Sequence, residues 1–467
     1  MRNRPELRLL PLALLVTLSI GCRTRPEPPA SRPTLAGAAS GRNVLLLSID
    51  TLRADRLNAY GYQMRETSPR MDAFLASGIQ FDQASAARAL TWPSLASVLT
   101  GLYPSGHGVT QNGYELPDDL PTLPKLLGGA GYATGAFLSN MCRANHQGWD
   151  ELRCSQGRDT RASQWALEWV SQQEESRPFF LWIHLFGAHP PYYNGGELAA
   201  KELDPGYQGA LAPKKRVLDA VMEEGQVLSE ADRRHLDAIY DAAVIGTDRI
   251  VGSFLDALEQ AGVLENTVVV LLADHGEDLY DHHGYIYHAC SVYQSSLHVP
   301  LSFSAPGILP QGQRVRQTVE LIDVLPTILD LVGLEPPQGL HGASLRPYLE
   351  RPEAGGAGKP AFTEYGDSRI HTAMSEGWKL IHNPDAELPV CFAGGPEDLY
   401  PIEVTELYDL GRDPLEQENL ATAEPTRVSR MRELLRERFA DLESRGRAQE
   451  IPEDLKEELR SLGYIAK

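Results

Sequence analysis

Two acidic residues follow apolar runs with the length and composition of buried strands. Asp50 follows Asn43-Val-Leu-Leu-Leu-Ser-Ile49, and Asp274 follows Thr267-Val-Val-Val-Leu-Leu-Ala273, with His275, Gly276 and Glu277 directly behind it. Strands buried on both faces belong to parallel sheets, and open α/β sheets place ligands outside the carboxyl ends of their strands. Carboxylates and an imidazole converging there suit a divalent cation. An acid after a strand is equally a common helix N-cap, and residue type alone does not separate the two. Between the acids lies Thr91-Trp-Pro-Ser-Leu-Ala-Ser-Val-Leu-Thr-Gly101. Pro93 and Ser94 sit where a helix begins, which puts Thr91 at its N-terminus, beside backbone N–H groups able to hold an anion. A threonine hydroxyl attacks only when a metal or a base activates it. As a plain cap it would do no chemistry, and the local sequence by itself favours the cap.

The elements that must carry these residues read as an α/β chain. Phe179-Phe-Leu-Trp-Ile-His-Leu185 is a third buried strand, and helices are predicted over 69–77, 120–130, 228–260 and 321–332. Ser229 is placed to cap the long helix, with Glu230 and Asp232 in its first turn. Helix followed by buried strand, repeated, predicts a doubly wound, mainly parallel sheet. Residues 351–358 are rich in Gly, Ala and Pro and read as a linker. Beyond them, short segments over 361–365, 372–381 and 406–410 and a charged helix over 425–444 predict a small α+β subdomain.

Composition bounds what such a chain binds. Of 467 residues, 42% are hydrophobic and 23% charged, which excludes a mainly disordered chain, a collagen or a small disulfide scaffold. Lys and Arg total 43 against 63 Asp and Glu, a net charge of −20. A field of that sign opposes nucleic acid and anionic lipid, and an anionic substrate would need a local device such as a bound cation. The N-terminus reads as a signal: Arg2, Arg4 and Arg8 precede an apolar run from Leu9 to Ile20, too short to span a bilayer comfortably. It ends Leu18-Ser19-Ile20-Gly21-Cys22, the pattern of a bacterial lipoprotein cleavage site, with Ser19 where Leu is usual. The chain is therefore expected in the bacterial cell envelope, held to the membrane by a lipid on Cys22, with residues 23–41 as a Pro-rich tether. The four remaining cysteines, Cys142, Cys154, Cys290 and Cys391, allow three full pairings in an oxidising compartment, and Cys142 with Cys154 is the nearest in sequence. No C-x-x-C occurs, which argues against a zinc ribbon.

These motifs together resemble the sulfatase family of the alkaline phosphatase superfamily. The resemblance is carried by Asn43 to Asp55 (ending Ile-Asp-Thr-Leu-Arg-Ala-Asp), Thr67-Ser-Pro69, the Thr91 segment, Leu185-Phe-Gly-Ala-His-Pro-Pro-Tyr192, Asp274-His-Gly-Glu277 with His283-Gly284 and His288, and Glu406-Leu-Tyr-Asp-Leu-Gly-Arg-Asp-Pro-Leu-Glu-Gln-Glu-Asn419. It runs in order from about residue 42 to the end. It implies an alkaline-phosphatase-like sheet domain over 42–345 with a C-terminal subdomain over 359–467. It also implies one divalent cation (Mn, Zn or Ca) held by Asp50, Thr91, Asp274 and His275, and catalytic roles for Thr91, His189 and His288.

The chain departs from the family where the reaction is decided. Sulfatases oxidise a Cys or Ser in Cys/Ser-x-Pro-x-Arg to formylglycine; here the pattern is Thr91-Trp-Pro-Ser-Leu95, and threonine is not a substrate for that oxidation. Thr51 replaces the usual second Asp of the first metal block, and Ala136-Phe-Leu-Ser-Asn140 stands near the place of the Gly-Lys-Trp-His segment. Threonine is the nucleophile in relatives such as nucleotide phosphodiesterases and lipoteichoic acid synthase, and the latter's single-metal set matches Asp50, Thr91, Asp274 and His275. The expected function is a metal-dependent ester hydrolase or transferase that prefers phosphoesters, diesters first. The alternatives are sulfate-ester hydrolysis without formylglycine and a binding lipoprotein that keeps the fold without turnover. The other histidines receive plainer readings: His107 bonds its own loop, His282 and His283 are second layer or solvated, and His184, inside an apolar strand, is a satisfied core residue.

Overall fold

The structure, a computed structural model, describes residues 34–141, 147–356, 358–365, 370–386 and 402–439, together with Ile451 and Lys456. Its strands are β1 (Asn43–Ile49), β2 (Ile79–Ser85), β3 (Ala133–Leu138), β4 (Glu151–Cys154), β5 (Phe179–Leu185), β6 (Thr267–Ala273), β7 (Asp278–Leu279) and β8 (Ile286–Tyr287). They continue with β9 (His298–Ser304), β10 (Gln313–Glu320), β11 (Ala361–Glu364), β12 (His371–Ser375), β13 (Trp378–His382) and β14 (Thr405–Asp409). Eight form one sheet in the order β10-β2-β9-β6-β1-β5-β3-β4. Neighbours are parallel except that β9 runs antiparallel to both β2 and β6. The expected α/β class with a mainly parallel sheet is thus observed, and the three apolar runs read from the sequence, β1, β5 and β6, are adjacent at its centre.

Register then decides what the strand ends present. Ile49 of β1 lies level with Leu185 of β5 and Ala273 of β6, so Asp50 and Asp274 leave the sheet side by side. One step earlier, Ser48 is level with His184. The helix Glu230–Gln260 packs against the helices Pro69–Ala76, Asp159–Val170 and Gly196–Leu203 and begins in a capping box, in which Ser229 Oγ accepts from the Asp232 amide and the Asp232 carboxylate accepts from the Ser229 amide.

Several elements differ from the sequence reading. The helix expected over 120–130 is Leu123–Gly129, because Pro121 disfavours helix at Leu120 and Thr122 is extended, with φ −118° and ψ 157°. The segment 372–381 is a hairpin of β12 and β13, turning at Glu376 and Gly377 with φ of 54° and 78°, the left-handed pair that a two-residue type I′ turn requires. The helix Pro425–Phe439 packs its Val428, Met431 and Leu435 into one cluster with Ala373, Leu380 and Leu407 of the four-stranded sheet β11-β12-β13-β14. Residues 34–41, inside the stretch expected as a tether, are packed: the Gly37 and Ala39 amides donate to Asp330 O and Leu331 O at 2.8 Å each, and Ala39 is buried. Among the described residues no helix is long and apolar enough to cross a membrane. Cys154 and Cys290 are each disulfide-bonded. Cys22, Cys142 and Cys391, and so the expected Cys142–Cys154 pair and the lipidation site, lie outside the described residues.

Candidate active site

Asp50, Thr91, Asp274 and His275 converge at the carboxyl edge of β1 and β6, all of them fully buried. His275 Nε2 stands 3.6 Å from Asp50 Oδ1, 3.5 Å from Asp274 Oδ2 and 3.3 Å from Thr91 Oγ1. His275 Nδ1 lies 2.8 Å from the Gly276 carbonyl, which only accepts, so Nδ1 carries the proton and the Nε2 lone pair points at the carboxylates. Asp274 Oδ1 accepts from its neighbour's amide, His275 N, at 2.8 Å and from Thr51 N at 3.2 Å. Its Oδ2 is buried and makes no hydrogen bond. Thr51 has φ 56°, an uncommon conformation for a β-branched residue, and its carbonyl accepts from Tyr240 Oη at 2.6 Å.

Thr91 is the first residue of the helix Thr91–Thr100, whose N-cap is Leu90 without a side-chain cap. The cap favoured by the local sequence is therefore not its role in the fold, and its hydroxyl faces His275 instead. The expected supply of free N–H groups is also largely absent. The Trp92 amide donates to Asn112 Oδ1 at 2.9 Å, Pro93 has no N–H, and the Ser94 amide donates to Leu90 O at 3.0 Å. Ser94 Oγ donates to Asp274 O at 2.6 Å and ties this helix to the end of β6. Leu95, where the family pattern has Arg, is buried in the core.

His189 and His288 stand beside this group. The His288 ring centre is 4.6 Å from that of His275 and 5.0 Å from that of His189. His189 Nδ1 lies 2.7 Å from Pro190 O, and His288 Nδ1 lies 3.3 Å from Glu277 Oε1. Burial lowers the pKa of His189 to about 3, and burial with the neighbouring His275 and His189 holds His288 well below its usual value. Burial thus disfavours the charged form of both imidazoles. Burial, reinforced by the Asp278 carboxylate, raises the Glu277 carboxyl well above its usual range. The loop carrying His189 is fixed by Asp159, which accepts from the amides of Phe186 at 2.6 Å and Gly187 at 3.0 Å. Gly187 has φ 59°, and a Cβ there would meet Ile49 Cγ2 at 2.5 Å and Asp50 O at 2.9 Å, so only glycine lets this loop lie against Asp50.

Two further residues belong to the group and were not found from sequence. Asn140 Nδ2 donates to Asp50 Oδ2, which gives the segment noted near residue 140 a direct contact with the first acid. His184 is not a satisfied core histidine: Asp50, His184 and Asp274 each place a ligand atom within 4.8 Å of the others, and all three are buried. A histidine level with the residue two before Asp50, on the neighbouring strand, was the available signal, but register is invisible before strands are paired. Arg53, from the first motif, braces the site from behind, donating to Glu277 O at 3.0 Å and to the carboxylates of Asp55 and Asp281. Buried oxygens and imidazole nitrogens, among them Asp274 Oδ2 without a hydrogen bond, fit a divalent cation.

Over 90% of this chain and 88% of the relative, the chain is 24% identical to an N-acetylglucosamine-6-O-sulfatase of Bacteroides thetaiotaomicron. A structure solved in complex with its substrate D-glucosamine-2-N,6-O-disulfate superposes with a TM-score of 0.68 at 21% identity, covering 87% of this chain and 99% of the other. The phosphonate monoester hydrolase of Agrobacterium radiobacter superposes with the same TM-score of 0.68 and 21% identity, covering 86% and 96%. The sulfatase family profile matches residues 42–334, and the chain belongs to the sulfatase family of hydrolases.

Proposed function

We propose that this sulfatase-family hydrolase acts on phosphorus esters, diesters above monoesters, by hydrolysis or by transfer to an acceptor alcohol. Thr91 is the nucleophile, and Asp50, Thr91, Asp274 and His275 hold one divalent cation. The observation that carries the reading is Thr91 Oγ1 at 3.3 Å from His275 Nε2, with no cap bond of its own, at a position where the family's modified residue would be Cys or Ser. The catalytic domain in this reading spans 42–345 with 359–467 as its subdomain, and the mature chain is anchored in the cell envelope through Cys22.

The bound cation would supply Lewis acidity, lowering the pKa of the Thr91 hydroxyl and drawing charge from an ester oxygen. Thr91 Oγ1 attacks phosphorus, and its proton passes to a neutral imidazole. His189 suits that role, because the Pro190 carbonyl holds its Nδ1–H and so fixes the tautomer in which Nε2 is the basic nitrogen. The imidazolium so formed is paired with the developing charge and returns its proton to the leaving alkoxide. His288, steadied by Glu277, contacts the ester oxygens. Water or an alcohol, deprotonated in the same way, then attacks the phosphothreonine and releases Thr91.

Phosphorus is preferred over sulfur because of the exit. A formylglycine hydrate expels sulfate by collapsing to an aldehyde; a sulfated threonine has no such collapse. A diester carries one negative charge, a smaller load than the two of a monoester for a site that lacks the family's Arg and Lys. The test compares kcat/KM for bis-aryl phosphate, aryl phosphate and aryl sulfate with one leaving group, each with Ca, Mn and Zn. Diester turnover above sulfate turnover is the expected result. A preference for sulfate with unmodified Thr91 supports the second reading, sulfate-ester hydrolysis without formylglycine, which the sulfatase name of the Bacteroides relative favours.

A further inference from the structure

His184 is the one imidazole of the group that no motif assigns a task. It sits in β5, level with Ser48 of β1, and is fully buried. Side chains of level residues on parallel neighbours share a face, and Asp50, two residues after Ser48, continues the same face. His184 Nε2 accordingly points at Asp50 Oδ2 at 4.0 Å and makes no hydrogen bond. A buried ring nitrogen left without a partner costs folding free energy unless something occupies its lone pair.

The other end of the ring is held. His184 Nδ1 is 2.8 Å from Ser48 Oγ, which also accepts from Trp182 Nε1 at 2.9 Å and reaches Ile183 O at 3.5 Å. An indole N–H only donates and a carbonyl only accepts. With the serine proton on Ile183 O, its remaining lone pair takes Nδ1–H, and all three contacts are satisfied at once. That tautomer turns the Nε2 lone pair toward Asp50 and Asp274. Metal-bound histidines are oriented this way, by an oxygen on the far ring nitrogen.

Spacing points the same way. Donors bonded to one cation at roughly 2.0–2.2 Å stand about 3–4.3 Å from one another. The 4.0 Å from His184 Nε2 to Asp50 Oδ2 lies in that range, as do the 3.6 and 3.5 Å from His275 Nε2 to the two carboxylates. We infer that His184 is a second imidazole ligand of the cation, so that two nitrogens and the two carboxylates select a borderline metal such as Zn or Mn against Ca. The inference rests on the metal-assisted reading of this same site and deepens it.

The decisive measurement needs no variant. Full-length protein labelled with 15N-histidine and loaded with 113Cd is expected to show two imidazole nitrogens coupled to one 113Cd signal; a single coupled imidazole overturns the inference. His184→Gln should remove one coupling and weaken Zn binding in a chelator competition far more than Ca binding. Equal losses for Zn and Ca, or none, count against it. Ser48→Ala, which leaves the imidazole in place, should weaken Zn binding about tenfold, the usual effect of losing a ligand's hydrogen-bond partner. Binding of Cd through His275 alone, with phosphodiester turnover intact, sinks this inference and leaves the proposed function standing. No metal binding at all removes both.

Discussion

The Thr91 hydroxyl and the His275 ring nitrogen face each other at 3.3 Å across two elements that are 184 residues apart in the chain. The helix N-terminus carrying Thr91 is held by Ser94 on the Asp274 carbonyl, and the His275 ring is held by the Gly276 carbonyl. The Thr91 side chain is not the cap of its helix. Thr91→Ala is therefore expected to lower kcat by several orders of magnitude. The melting temperature should stay near wild type, because no cap worth about 1 kcal/mol is lost. Steady-state kinetics and a thermal melt on one preparation decide it; a lower melting point with an unchanged rate would return Thr91 to a structural role.

Asp274→Asn separates metal binding from folding. The oxygen that accepts from the His275 and Thr51 amides is kept, while the carboxylate oxygen without a hydrogen bond becomes an amide. The variant should fold, retain less divalent metal after dialysis and lose most turnover. Elemental analysis with circular dichroism reads both. Metal content equal to wild type would remove Asp274 from the ligand set.

His107 predicts an acid-side loss of stability. Burial, with the nearby His341, lowers its pKa from 6.5 to about 3. The Val109 amide donates to its Nδ1 at 3.1 Å, and its Nε2 faces Ser97 Oγ at 3.0 Å, so a second proton would oppose an N–H. The folded value lies below the unfolded one. The contribution of neutral His107 is therefore complete above about pH 6.5 and is lost as pH falls towards 3, by up to ~1.4 kcal/mol per pH unit. His107→Gln should be less stable at pH 7, yet its loss between pH 6.5 and 5 should be smaller than wild type by about 2 kcal/mol. Urea titrations at both pH values measure the difference, and parallel slopes would contradict the assignment.

Cys22→Ser should release the protein from the membrane fraction or leave it unprocessed. Two acyl chains anchor firmly where one anchors marginally. Intact-mass analysis of the mature wild type is expected to show an acylated Cys22, and an unmodified mature N-terminus elsewhere would make this a secreted enzyme.

The three central strands were legible because a strand buried on both faces must be apolar throughout, and Asn43–Ile49, Phe179–Leu185 and Thr267–Ala273 are nearly so. β2, Ile79–Ser85, carries Gln80, Asp82 and Gln83 among its apolar residues and gave no comparable signal. Asp50, Thr91, Asp274 and His275 could be nominated from residue type because acids at strand ends and a hydroxyl at a helix start are local facts. His184 and Asn140 could not. Their meaning depends on Ser48 being level with His184 and on Asn140 reaching Asp50 across 90 residues of chain, and pairing register has no local signature. The sequence by itself determined the family, through the resemblance that its ordered motifs carry, and the fold class, through its apolar runs and short-range pattern. Tertiary structure alone decided that Thr91 faces His275 rather than capping its helix, that the amides expected to hold an anion are already spent, and that a strand histidine joins the acids. Burial at a shared sheet edge sets each of these, and it exists only once the strands are paired.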